Sequence, residues 1–222
     1  GGALTAGGAM FGLAGLELLS TQKLQLVDAL SPLHAGLIIS AMALSAIPTS
    51  ILGGATLHRV GFLPLISGGF LLMAAGMALV VVSRGETLPL LVSGLGAGLA
   101  MSVSSTAIIN AAPLHRTGMA SGVEAVSYEF GTLISIALTG TLVPLLMARE
   151  LPPHLAELGT DALYHPASHA AAASAYNAGY LSTIGGLACF ALLLAAITAW
   201  CFRDNPKSGD PYAATQQKDR SP

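Results

Sequence analysis

The residues best able to do chemistry in this sequence are two carboxylates inside an otherwise apolar run. Glu124 and Glu129 lie in Gly118-Met119-Ala120-Ser121-Gly122-Val123-Glu124-Ala125-Val126-Ser127-Tyr128-Glu129-Phe130-Gly131. A charged carboxylate at a bilayer centre costs at least ~2.5–3.5 kcal/mol, so such a group should face a cavity or a partner. A carboxyl group able to be neutral or anionic is what coupling a proton to a cation requires. On a helix the two side chains point ~140° apart, so no narrow stripe holds both. Glu124 falls near Tyr128 and Gly131, and Glu129 near Gly122 and Ala125. Three arrangements remain open: a broad cavity touching both, one acid toward a cavity and the other toward a neighbouring helix, or solvation at the cytoplasmic interface.

Other polar groups are read differently. Glu17 is followed closely by Ser20-Thr21-Gln22 and is expected at a solvated outer helix end. Gly94-x-Gly96-x-Gly98 has no Lys-Ser/Thr after it and reads as helix packing, as does Gly118-x-x-x-Gly122. Asn110 with Ser102, Ser104, Ser105 and Thr106 suits interhelical hydrogen bonds as well as substrate contact. His154, His165 and His169 read as loop histidines rather than metal ligands. Neither a metal nor another cofactor is expected. Cys189 and Cys201 stand ~18 Å apart on one helix and cannot pair with each other. HExxH, GxSxG and an intramembrane aspartate pair are missing, so an enzyme is not expected.

The elements that must position these groups follow from composition. Of 222 residues, 53% are hydrophobic and 9% charged, which excludes an ordinary water-soluble globule. Residues 29–58, 60–83, 87–115 and 170–202 contain no Asp, Glu, Lys or Arg. Each exceeds the ~20 residues that cross a hydrocarbon core. The runs are apolar throughout, without the alternation of a barrel strand. The fold class is therefore all-α, a polytopic transmembrane bundle of six helices. They are expected over 1–20, 35–57, 60–83, 88–111, 117–148 and 179–202. His58-Arg59 is expected as the turn after the second helix, and Pro48 and Pro144 as bends. Residues 1–203 form the bundle and 204–222 a disordered polar tail. A net charge of −2 without a basic cluster argues against nucleic acid.

A cytoplasmic tail would put Arg59, Arg116, Arg203, Lys207, Lys218 and Arg220 inside, with Lys23, Arg84 and Arg149 outside. The chain opens Gly1-Gly2-Ala3-Leu4, which reads as the interior of a helix already begun and suggests a fragment.

Several stretches together resemble the major facilitator superfamily, specifically its fourteen-helix drug/proton antiporters. They are Leu24–Leu37, Leu57-His58-Arg59-Val60-Gly61-Phe62, Gly94-Leu95-Gly96-Ala97-Gly98 and the run from Arg116 to Thr141. The last looks closest to quaternary-ammonium and methyl-viologen exporters. The resemblance implies that the six helices are the carboxyl-terminal bundle, whose amino-terminal bundle lies outside this sequence. It further implies export of small lipophilic cations in exchange for protons, from the inner membrane of a bacterium. Glu124 and Glu129 match acidic positions of that family's penultimate helix, with Tyr128 beside them as a stacking surface. His58 and Arg59 match a cytoplasmic gating turn, where His58 replaces the usual acid. A transporter of another substrate and a membrane scaffold are the alternatives.

Overall fold

The computed structural model describes residues 1–83, 85–152, 155 and 157–201. Six long helices account for most of them: α1 Gly2–Leu26, α2 Pro32–Val60, α3 Phe62–Val82, α4 Thr87–Asn110, α5 Thr117–Glu150 and α6 His169–Cys201. All six are long and apolar enough to span a bilayer, and the described residues contain no strand. The molecule is an all-α polytopic membrane bundle. Two short 3-10 turns, Leu114–Arg116 and Gly159–Leu163, lie in the connections.

Local chemistry sets the ends. The Ser31 side chain accepts from the His34 amide at 3.4 Å and Pro32 occupies the first turn, a start for α2 that needs no donor from proline. His58 and Arg59 are not a turn: they are exposed residues in the last turn of α2. The chain reverses at Gly61, whose φ of 88° suits glycine alone. Two helices are longer than hydropathy suggested. α1 runs on through Gln22 and Lys23, and α6 begins at the alanine-rich segment from His169 rather than at Gly179. Alanine favours helix irrespective of the bilayer. Pro48 and Pro144 both sit inside helices. The tail expected over 204–222 lies outside the described residues, as do Phe202 and His154.

Packing places α1 and α4 centrally. α4 packs against α2 and α3, α1 against α5, and α6 closes on α3 and α5. Glycine permits these contacts. A Cβ at Gly94 or Gly98 would strike the Met42 or Ala46 carbonyl of α2, and one at Gly96 the Gly69 carbonyl of α3. The packing expected of this triplet is thus realised on two neighbours at once. Ser102 Oγ adds an interhelical hydrogen bond to the Ser50 carbonyl at 2.8 Å. The core runs from Leu16 and Leu19 through Phe70, Met73 and Met77 to Tyr176, Tyr180 and Ile184. α2 and α5 contribute least, leaving Leu37, Leu44, Ile51, Phe130 and Leu133 outside.

Candidate functional site

α5 enters the bundle after Pro113 and the 3-10 turn, so Glu124 and Tyr128 follow one another on a single helical face. The Tyr128 hydroxyl donates to Glu124 Oε1 at 3.1 Å. Both residues are half-buried. The Tyr128 ring packs on a small cluster of Ala6 from α1, Ile108 from α4 and Ala120 from α5. Close approach of α1 and α5 makes this junction. A Cβ at Gly131 would collide with the Gly7 carbonyl, and Ser135 Oγ donates to the Phe11 carbonyl at 2.6 Å. The site is a phenol–carboxylate pair where three helices converge.

Glu129 is separate. It is exposed, round the helix from Glu124, on a side that also carries Gly118, Gly122 and Ala125. Nothing among the described residues comes within 4 Å of a Cβ built at Gly118 or Gly122. These two glycines therefore do not pack within the bundle, contrary to the expectation that they mark a packing face. The structure joins Glu124 with Tyr128 and leaves Glu129 on the uncovered side of α5. His58 and Arg59 lie on another helix, and no hydrogen bond or ion pair among the described residues joins them to this pair.

One carboxylate expected at a solvated helix end is exposed but does not lie at that end. α1 continues nine residues past Glu17, so Glu17 occupies the interior of a helix rather than its end. The Thr21 hydroxyl donates to the Glu17 carbonyl at 2.7 Å and leaves the carboxylate alone. Among the described residues, which do not include His154, no group of three His, Cys, Asp or Glu side chains is placed to hold a metal ion.

Sequence reasoning missed a second polar centre at the opposite end of the bundle. Lys23 Nζ lies 3.0 Å from Glu86 Oε1 and 3.1 Å from Asp28 Oδ2. The Tyr180 hydroxyl donates to Glu86 Oε2 at 2.7 Å, and Lys23 sits 5.7 Å from the Tyr180 ring centre. The Tyr176 hydroxyl donates to Gln22 Oε1 at 3.2 Å, one helical turn away. A cavity of about 480 Å³ opens beside Lys23, Asp28, Glu86, Asn177 and Tyr180. The tyrosines at 176 and 180, four apart in a chain with five, were the available signal. A larger cavity of about 510 Å³, lined by Phe11, Phe130, Ile134, Leu138 and Phe190, carries no carboxylate.

The chain aligns with proteins that confer drug resistance. The multidrug resistance protein Stp of Mycobacterium tuberculosis is 30% identical over 150 residues, 65% of this chain and 28% of its own length. The methyl viologen resistance protein SmvA of Salmonella typhimurium is 31% identical over 148 residues, 64% of this chain and 30% of its own. The puromycin resistance protein pur8 of Streptomyces alboniger is 32% identical over 216 residues, 92% of this chain and 40% of its own. Its homologues are drug-resistance transporters. The chain spans less than a third of the first two and 40% of the third. No protein-family model matches it.

Proposed function

We propose that this chain is the carboxyl-terminal bundle of a major facilitator antiporter of the fourteen-helix type, exporting small lipophilic cations in exchange for protons. The observation that carries the reading is the Glu124–Tyr128 pair, half-buried where α1, α4 and α5 meet. An anionic Glu124 facing the cytoplasm attracts an organic cation. The Tyr128 hydroxyl holds the carboxylate in place, and its ring offers an aromatic face to the cation. After the transporter turns outward, a proton on Glu124 replaces the cation and releases it. Glu129, on the uncovered side of α5, faces the cavity shared with an amino-terminal bundle, and the rocking of two such bundles gives alternating access. His58 and Arg59 close the cytoplasmic end. The Lys/Arg distribution supports a cytoplasmic carboxyl terminus in a bacterial inner membrane. The names of the relatives support drug export, SmvA by a dication.

The test uses the intact transporter, folded in detergent at low buffer strength. Adding a quaternary ammonium compound should release protons, and Glu124→Gln should abolish that release while the protein stays folded. Release undiminished in folded Glu124→Gln and Glu129→Gln would remove both carboxylates from coupling. No release with any of several cations would point to another substrate class.

A further inference from the structure

The charges around the cavity at the Lys23 end of the bundle do not balance. Among the described residues that line it, one ammonium, Lys23, meets two carboxylates, Asp28 and Glu86. Glu86 is fully engaged: Oε1 takes Lys23 Nζ, Oε2 takes the Tyr180 hydroxyl, and the side chain is 8% exposed. Asp28 is not. It meets Lys23 through Oδ2 alone, and its side chain is 39% exposed. The surplus negative charge therefore belongs to Asp28. A second observation concerns Asn177, which lies on α6 and lines the same cavity. Its Oδ1 is buried without a hydrogen-bond partner among the described residues. A buried acceptor in that state is costly, and a ligand carrying a donor relieves the cost. The rest of the lining includes Leu24, Ile38, Val80 and Leu181. The volume, about 480 Å³, falls within the ~300–1,000 Å³ of small-molecule sites. A bare metal ion would use the oxygens alone and leave that volume and those apolar side chains without a role.

We propose that this cavity binds a protonated primary amine with an apolar body, whose N–H groups donate to the Asp28 carboxylate and to Asn177 Oδ1. Leu24, Ile38, Val80 and Leu181 receive the apolar part. A quaternary ammonium brings the charge but no N–H, so it answers Asp28 in part and Asn177 not at all. The site is distinct from the Glu124–Tyr128 junction. Tyr128 packs on Ala6, and Ala6 and Lys23 stand ~26 Å apart along α1. Amine binding here does not rest on proton exchange at Glu124.

Isothermal titration of the intact transporter in lipid nanodiscs tests this with two probes. One is 1-naphthylmethylamine, protonated at neutral pH; the other is its N,N,N-trimethyl analogue, with the same ring and charge but no N–H. A Glu124→Gln background removes the acid of the other junction from both titrations. In that background the amine should bind about tenfold more tightly than the analogue. Asp28→Asn and Asn177→Leu should each weaken the amine roughly tenfold, the size of one charge-assisted contact, and bring it level with the analogue. Asp28→Asn leaves both bonds to Glu86 in place, so its melting temperature should hold. No amine binding, equal affinity for the two probes, or amine binding indifferent to both substitutions overturns the site. Loss of binding only in step with a lowered melting temperature makes Asp28 and Asn177 structural and overturns it too. Proton release by a quaternary ammonium, measured on Asp28→Asn alone, reports on Glu124, so the failure of either reading shows separately.

Discussion

Two groups on one helical face do more together than either alone. Glu124 would be a solvated acid near a helix start if Tyr128 did not both cover it and donate to it at 3.1 Å. Removing only the hydroxyl separates these contributions. Tyr128→Phe keeps the ring packed on Ala6, Ile108 and Ala120 but deletes the hydrogen bond. A hydrogen bond to a charged group contributes ~1.5–3 kcal/mol, so cation affinity should fall about tenfold or more while the melting temperature changes little. Competition binding with a fluorescent cation measures this, and unaltered affinity would show that Glu124 needs no orienting partner. The residue pair was legible in the sequence because the i, i+4 spacing alone brings 124 and 128 together. The Lys23–Glu86–Tyr180 centre was not. Its members come from three distant stretches, and nothing local in any of them announces the others.

That centre acts between elements. Lys23 ends α1, Glu86 precedes α4 and Tyr180 belongs to α6, so one ammonium and one phenol hold three helices at a common end. The Glu86 side chain is 8% exposed, too enclosed to be left charged and unpaired cheaply. Lys23→Met should therefore destabilise the bundle by roughly 3 kcal/mol, whereas Lys23→Met with Glu86→Gln should recover most of the loss. Thermal melting of the two variants in the same detergent checks the order. Equal melting temperatures would mean that Tyr180 alone satisfies Glu86. The same helix ends show how far hydropathy reaches. The six spans were visible as uncharged runs, but the ends of α1 and α6 were not, because Gln22, Lys23 and His169 are polar residues that still continue a helix. The position of Glu17 was misjudged for the same reason: an apolar run that seemed to stop at Ser20 made an interior carboxylate look terminal.

Across the whole molecule, burial is uneven in a way that membrane lipid explains only in part. α3 and α4 are well packed, whereas α2 and α5 turn broad faces outward, bearing Leu37, Leu44, Ile51, Leu133 and Ile136. Lipid covers leucine and isoleucine without cost, but not Glu129, which is exposed near Gly118 and Gly122, where an added Cβ would meet nothing within 4 Å among the described residues. A companion bundle laid across α2 and α5 would enclose an aqueous cavity around that carboxylate, and the relatives are long enough to supply one. The consequence is a division of labour that can be measured. In liposomes, this 222-residue chain by itself should give no cation-driven proton flux above empty vesicles, while the intact transporter should give flux that Glu129→Gln reduces. Flux from the chain alone would mean that two copies of the bundle complete the cavity between them, and the companion would then be a second copy of this chain.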